Sequence, residues 1–578
     1  MSETKVHWLP WSKEAFERAK TLDKPILLDI SAVWCHWCHV MDQTTYSDPE
    51  VAKLVEEQTV PIRVDNDQRP DINKRYNMGG WPTTAFLTPD GAVITGGTYI
   101  PPQQMKQLLQ SISQYYKESK QKIKVELKQT EMQELMSQPS TLVLDQEFYQ
   151  SVIDNVLLEV TSNFDRVYGG FGASPKFPHT DALAFALLEH LIQGHRGLLN
   201  VVTKTLQKMS AGGVYDQVEG GFFRYSTTMD WSIPHYEKMC EDNAKLLINY
   251  LETYQVTGNV GFRHTAQDII NYVETCLADR EHGGFYGSQD ADEEYYQMSL
   301  TERRKRTPPK VDKTLYTNWN ALMASAYLQA SVTLENIAYQ NSALQTIDLL
   351  LHKGFSTKKG MYHYYSAGQG HVLGLLTDQA QTLKCLVDAY QTTANKEYLK
   401  HAEGIAQFML TNLSNKAGGF YDRPETAETL GTLQQPVISL DENCLAVDAF
   451  LRLGYLTGSE KYLEAAKKTL NFFSSTIQSY GIMAAGYGLA VELFLRPLQI
   501  HIVGSKGDSL TKQLQRESLK AYNPLKTIEV IDPIIDTTRL ASFKYPTAET
   551  PRAYVCYQGT CTLSENAREL AVAITPKR

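Results

Sequence analysis

Cys35 and Cys38 stand in the run Trp34-Cys35-His36-Trp37-Cys38-His39, a spacing that admits three chemistries. In a redox pair, Cys35 is the exposed nucleophile and Cys38 the resolving thiol. An imidazolium at His36 or His39 would then stabilise the Cys35 thiolate. As a metal site the pair supplies two of about four ligands. His39 is adjacent to Cys38 and poorly placed to share the ion, and no second Cys-x-x-Cys follows nearby. The third option is a pair that only binds, or is a vestige. The redox reading leads, and neither a metal nor a cofactor is expected. Cys556 and Cys561 form a second close pair, in Cys-Tyr-Gln-Gly-Thr-Cys, near enough to bridge across a turn. Exchange of disulfides between the two pairs is a further expectation. Cys240, Cys276, Cys385 and Cys444 lie singly in helical stretches, where cysteine acts as a small apolar residue.

The elements around Cys35 are readable. Residues 12–23 form an amphipathic helix with Ser12 as N-cap and Ala15, Phe16 and Ala19 on one face. Lys24-Pro25 ends it, and Ile-Leu-Leu-Asp-Ile-Ser-Ala is a buried strand. The stretch from Cys38 to Gln58 reads as helix, which places Cys35 at a strand-to-helix junction where free helix N–H groups favour a thiolate. A strand at Thr-Val-Pro-Ile-Arg-Val-Asp follows, then a hairpin turning at Pro89-Asp90-Gly91.

This order resembles the thioredoxin fold. Asp29, six residues before Cys35, matches the buried carboxylate that assists proton transfer at the second cysteine. Trp34 precedes the motif as in thioredoxins, and Trp81-Pro82-Thr83 matches the cis-proline loop that binds substrate backbone. With "VDNDQRPDINKRYNMGGWPTTAFLTPDG" the chain further resembles the spermatogenesis-associated protein 20 family, the YyaL-like thioredoxin-domain proteins of bacteria. The resemblance implies a thioredoxin-like domain ahead of an (α/α)6 toroid of the six-hairpin glycosidase and N-acylglucosamine 2-epimerase type. It supplies no reaction. The link between "GGFYGSQDAD" and "NWN" is shorter here than the family usually carries.

Glycine–aromatic segments recur at Gly169-Gly170-Phe171, Gly220-Gly221-Phe222, Gly283-Gly284-Phe285, Gly360-Met361-Tyr362, Gly418-Gly419-Phe420 and Gly486-Tyr487-Gly488. Apolar-periodic helices lie between them, so six helical hairpins are expected. Inner helices opening at Asp181, Asn243, Asn320, Gln379 and Asn443 read either as N-capped or as rimming a cleft suited to sugars. The cleft chemistry is expected from His235, Glu237 and Asp242 as acids and bases. Arg224, Tyr225, Trp231, Asp290, Asp292, Trp319, Asn320 and Asp378 are expected at the substrate, with His36, Trp34 and Trp81 lining the thiol site. His179 is a weaker candidate, and Asp441-Glu442 and Glu241 add carboxylates.

The expected organisation is multidomain: a thioredoxin-like α/β domain over 1–120, a helical linker over 121–145, the all-α toroid over 146–496, and a small α/β appendage over 497–578. Net charge of −9 and a pI near 5.9 argue against nucleic acid as a partner. The run Arg303-Arg304-Lys305-Arg306 reads as a solvated loop. No apolar stretch approaches the roughly 20 residues that span a membrane, and the start lacks a secretory signal, so a cytoplasmic location is expected. Thiol–disulfide exchange with a protein disulfide or small thiol is the leading function. The alternatives are sugar epimerisation, isomerisation or hydrolysis in the toroid with the first domain as a cap, and a non-catalytic scaffold.

Overall fold

A computed structural model describes residues 5–118, 145–354, 359–425, 430–545 and 550–575. The chain divides into two compact units, Met1–Ser140 with Asp422–Val437, and Thr141–Tyr421 with Ile438–Arg578. The expected linker lies outside the described residues except for Asp145, which caps the helix that follows.

In the first unit α1 (Lys13–Leu22) starts where Ser12 accepts the Ala15 N–H, and it buries Ala15, Phe16 and Ala19. Strand β1 (Ile26–Ser31) runs parallel to β2 (Val60–Asp65) and antiparallel to β3 (Thr83–Leu87), which pairs with β4 (Val93–Gly97). The sheet order is β2-β1-β3-β4. Ile26, Leu28 and Ile30 enter one core and Leu27 the other, because strand side chains alternate faces. The stretch read as one helix after Cys38 is two, α2 (His36–Thr44) and α3 (Pro49–Gln58). Pro49 cannot continue a helix but suits a first turn, and Asp48 caps it by accepting the Glu50 and Val51 N–H groups. Helix α4 (Pro70–Tyr76) and a helix α5 over 102–118 complete the chain-local part.

Residues 422–437 complete the same unit. Leu433 joins the core of Trp11, Phe16 and Tyr76. Arg75 holds Asp422 through bonds of 2.6 and 3.2 Å, and Arg423 donates to Asp71 at 3.1 Å. The Thr432 N–H donates to the Tyr76 hydroxyl at 2.9 Å. Gly431 has φ +57°, and a Cβ there would stand 2.5 Å from that hydroxyl, so glycine is required.

The second unit is an (α/α)6 toroid. Among the described residues the inner ring is α7 (Thr180–Gln193), α9 (Cys240–Thr257), α11 (Thr317–Thr333), α13 (Leu376–Thr393), α15 (Leu440–Thr457) and α17 (Ala485–Leu495). Each packs on the next and α17 packs back on α7, so the ring closes. Outside it stand α8 (Arg196–Ala211), α10 (Val260–Tyr272), α12 (Ile337–Gly354), α14 (Lys396–Asn412) and α16 (Glu460–Phe473), while α6 (Gln146–Ser162) backs α17. Outer helices show one apolar stripe, whereas α11 and α13 are buried nearly all round, as a two-layer ring demands. The sixth glycine–aromatic segment departs from expectation. Gly486-Tyr487-Gly488 lies inside α17, where Gly488 leaves room for the Phe185 ring.

The α/β appendage has its own sheet. Strands β5 (Leu498–Val503), β6 (Lys526–Ile531), β7 (Arg552–Tyr557) and β8 (Thr560–Ser564) are ordered β6-β5-β7-β8. The β5–β6 pair is parallel, and β5–β7 and β7–β8 are antiparallel. Helices α18 (Ser509–Lys520), α19 (Thr537–Phe543) and α20 (Ala567–Ile574) accompany it. Ile500, Ile502, Ile528, Val530 and Val555 meet Leu514 and Leu570 in a core of its own. Among the described residues no helix is long and apolar enough to cross a membrane.

Candidate functional site

Cys35 ends the loop after β1 and is the N-cap of α2. Its Sγ accepts the Cys38 N–H at 3.2 Å, so the positive end of the helix points at the sulfur. The two cysteines form a disulfide with Cα atoms 5.2 Å apart. The Trp34 and Trp81 rings meet edge to face at 5.8 Å, which brings the residue before Cys35 against the residue before cis-Pro82. Trp34 is fixed by donating to Asp67 at 2.5 Å. Asp29 is buried, and burial raises its carboxyl to about 6, although Arg63 pulls it down across a 2.5 Å contact. Arg63 also reaches Asp42 at 2.5 Å. Exposure departs from expectation. Cys35 is only 4% exposed in the disulfide, while His36 is exposed and Trp37, at 45%, leans on Tyr99. An N-cap sulfur folded over its own first turn is shielded by that turn. His39 turns its Nε2 to the Val33 carbonyl at 2.9 Å.

In the toroid the amides have another role than capping. Asn243 Oδ1 accepts the Phe222 N–H at 2.7 Å while its Nδ2 donates to the Phe222 and Met239 carbonyls. Asn320 does the same with Phe285 and Tyr316, Asn443 with Phe420 and Ser439, and Gln379 with Met361 and Leu375. Each amide therefore locks the preceding glycine–aromatic loop onto its inner helix. Asn320, expected at the substrate, spends its amide on pinning that loop. Trp231 is fully buried, donates to the Tyr168 carbonyl at 3.1 Å and fills the space beside Gly170. Asp292 caps a short helix by accepting the Tyr295 N–H, and Asp290 accepts the Ala291 N–H.

A cavity of about 510 Å³ runs along the ring's axis. Thr180, Asp181, Glu241, Asn318, Trp319 and Asp441 line it near the first turns of the inner helices. Glu252, Lys384, Asp388, Asp448, Arg452 and Lys526 line its far end, where Arg452 donates to the Pro524 and Lys526 carbonyls. Burial raises Glu252 to about 7 against the pull of Lys384, and burial with the nearby Arg452 lowers Lys526 to about 7. Of the residues expected at the cleft, Trp319 lines this cavity together with Asp181, Glu241, Asp441 and Glu442. His235, Glu237, Asp242, Arg224, Tyr225 and Asp378 are not among its lining residues. Glu237 is buried and bonded to His235 Nδ1 at 2.9 Å, and Tyr225 stacks on His235 at 4.9 Å. Asp242, raised to about 6 by burial and by Glu241, is turned by one residue, about 100°, from the axial Glu241. Asp378 is bonded to His363 Nδ1 at 3.0 Å and takes the Asn318 N–H.

The comparisons cover both units. The family described as "Thioredox_DsbH: Protein of unknown function, DUF255" matches residues 1–136. Human spermatogenesis-associated protein 20 is 25% identical over 96% of this chain and 88% of its own length. The similarity runs along nearly the whole sequence. Thiol:disulfide interchange protein DsbD of Pseudomonas fluorescens is 27% identical over 14% of each chain. The solved cellobiose 2-epimerase of Bacillus thermoamylovorans superposes with a TM-score of 0.48 and 14% identity, covering 57% of this chain and 86% of that one.

The chain thus holds a Cys-x-x-Cys in a thioredoxin-like module and a polar cavity in a toroid. Residue-by-residue reading missed the far end of the cavity. The signal was present: Glu241, Lys245, Asn249, Glu252 and Gln255 recur at helical spacing along α9, and Thr377, Gln381, Lys384, Asp388 and Gln391 along α13. A polar stripe on a helix otherwise buried marks the wall of an internal channel. The basic run is corrected at its first residue, while Arg304, Lys305 and Arg306 are exposed as expected. Arg303 is 2% exposed and bridges Asp216 and Glu219 at 2.8 Å, beside a Lys238–Asp216 pair at 2.7 Å. Two facing carboxylates justify a buried guanidinium that sequence alone places in solvent.

Proposed function

We propose that the first unit carries out thiol–disulfide exchange at Cys35 and Cys38. The observation that carries this reading is the Cys35 sulfur at the N-terminus of α2, taking the Cys38 N–H, beside the cis-proline loop. In the reduced protein the Cys35 thiolate attacks one sulfur of a partner disulfide and expels the other as a thiolate. Asp29 draws the proton from Cys38, whose thiolate attacks Cys35 Sγ and releases the partner fully reduced. Two electrons pass to the partner and the Cys35–Cys38 bond forms. An upstream dithiol restores the reduced pair by the reverse steps. The exposed His36 and Trp37 are the approach surface. The test is turnover of a protein disulfide with a regenerating dithiol. Cys35→Ser should reduce it at least about 100-fold, and Cys38→Ser should trap a mixed disulfide; unchanged turnover in both variants would defeat the reading.

The toroid cavity supports a second activity, binding of a sugar-sized ligand by Trp319 stacking and by Asp181, Glu241 and Asp441 as hydroxyl acceptors. The His235–Glu237 pair is bonded within its own loop, so binding is favoured over epimerisation. Titration of disaccharides against indole fluorescence tests it. Saturable quenching that Glu241→Gln weakens about tenfold is expected, and no saturable response to any neutral or acidic disaccharide overturns it.

A further inference from the structure

The appendage and the first unit's sheet correspond strand for strand. The fourth residue of the leading strand is buried and titratable in each, Asp29 in β1 and His501 in β5. Asp29 faces Arg63 on the parallel neighbour and Thr84 on the antiparallel one. His501 faces Glu529 and Tyr554 in the same register. The loop after β5, Gly504-Ser505-Lys506-Gly507, has no cysteine. The disulfide of this lobe joins Cys556 and Cys561, opposed residues of β7 and β8 with Cα atoms 4.0 Å apart.

Its surroundings are those of a reactive bond. Cys561 is exposed on β8, the outermost strand, where Thr560, Thr562 and Leu563 are exposed too, whereas Cys556 is half-buried. The Tyr545 hydroxyl lies 3.3 Å from Cys556 Sγ and 3.8 Å from Cys561 Sγ. The same hydroxyl is 2.5 Å from His501 Nδ1. His501 Nε2 lies 3.9 Å from Glu529, which Arg539 holds with bonds of 2.9 and 2.8 Å. The Tyr545 ring is itself fixed, stacked on Tyr554 at 3.8 Å and Phe543 at 5.2 Å. A disulfide that only staples a hairpin needs no hydroxyl at its sulfurs. A departing thiolate gains from one, because hydrogen bonds to ionised groups are the strong ones.

We propose that Cys556–Cys561 is a second thiol–disulfide centre, in which a dithiol attacks exposed Cys561 and the Tyr545 hydroxyl stabilises Cys556 as the leaving thiolate. One thiolate of the dithiol forms a bond to Cys561 Sγ, and the Cys556–Cys561 bond breaks. Cys556 leaves with the electron pair and receives the hydrogen bond that Tyr545 turns from His501. The dithiol's second sulfur closes on its first, expelling the Cys561 thiolate. The dithiol is oxidised to a disulfide by two electrons, and its two protons end on Cys556 and Cys561 through solvent. This centre does not rest on the activity at Cys35.

The test uses the full chain carrying Cys35→Ser and Cys38→Ser, with dithiothreitol as the probe and alkylation of residues 552–564 read by mass spectrometry. The native protein should be reduced fully under non-denaturing conditions. Tyr545→Phe should slow that reduction about tenfold or more, the loss of one hydrogen bond to a charged sulfur. With glutathione disulfide as the probe, Cys556→Ser should form its mixed disulfide faster than Cys561→Ser. Resistance of the native pair to excess dithiothreitol, or equal rates in Tyr545→Phe, overturns the proposal. Should Tyr545→Phe fail to fold, the two serine variants decide it: faster capture at Cys556 than at Cys561 overturns it.

Discussion

Asp29 and His501 hold the same place in two sheets of the same order, β2-β1-β3-β4 and β6-β5-β7-β8. Burial acts on both by disfavouring the charged form. It lifts Asp29 from an ordinary 3.8 to about 6 and lowers His501 from 6.5 to about 3. The neighbours then differ. Arg63 attracts the Asp29 carboxylate and partly restores its charge, whereas Arg539 repels a proton from His501. The first sheet thus keeps a group that exchanges a proton near neutral pH behind its Cys-x-x-Cys. The second keeps an imidazole that burial holds neutral near pH 7, placed to take the Tyr545 hydroxyl. One topology has been fitted with two kinds of redox support.

The largest effect that would break this comparison is its pH dependence, which has opposite signs in the two sheets. As pH falls from 7 to 4 the unfolded chain protonates at His501 and the folded lobe does not, so β5 loses roughly 3 kcal/mol of protection. A carboxyl raised in the folded state favours folding at low pH, so β1 gains roughly 2 kcal/mol over the same range. Amide hydrogen exchange of residues 26–31 and 498–503, corrected for intrinsic rates, measures both. His501→Leu and Asp29→Asn should each flatten its own sheet's profile alone; parallel profiles in the native protein would end the comparison.

Next in size are the disulfides. Both close short loops, so replacing either pair with serines should cost its sheet about 2 kcal/mol. Urea titration followed by exchange of the same amides tests this. The redox consequences, unlike the stability, should differ in kind, with protein-disulfide turnover falling only when the Cys35–Cys38 pair is lost. A further contrast comes from matched positions after the leading strands. A Cβ on Gly504 would stand 2.8 Å from Pro551 Cβ, so Gly504→Ala should cost about 1–3 kcal/mol. Ala32→Gly, at the matching position, should cost under about 1 kcal/mol, and comparing the two thermal midpoints sharpens the match.

The two sheets also mark how far sequence reading carries. The first was legible because Asp29, Trp34, Cys35, Cys38 and Pro82 each name their place in a fold. In the second only an α/β appendage was legible, since nothing in its sequence states which edges pair, and the order β6-β5-β7-β8 emerges only from register. The toroid's hairpins followed from glycine–aromatic spacing, but Asn243 and its counterparts were read as caps or as the rim of a cleft, because an amide three residues into a helix resembles one at its start. Arg303 escaped because its carboxylate partners, Asp216 and Glu219, lie more than 80 residues away.

The place of Leu433 in the core beside Trp11 and Tyr76 bears on synthesis. A ribosome releases the residues up to Ser140 long before it makes Asp422–Val437. At 5–20 residues per second the wait is about 15 to 60 s. Throughout it the nascent thioredoxin-like module lacks the Leu433 side chain of its core and the contacts that Asp422 and Arg423 add to Arg75 and Asp71. Completion of the amino-terminal core therefore waits on translation of the toroid, and the cysteines at 35 and 38 are made well before that core has all its parts.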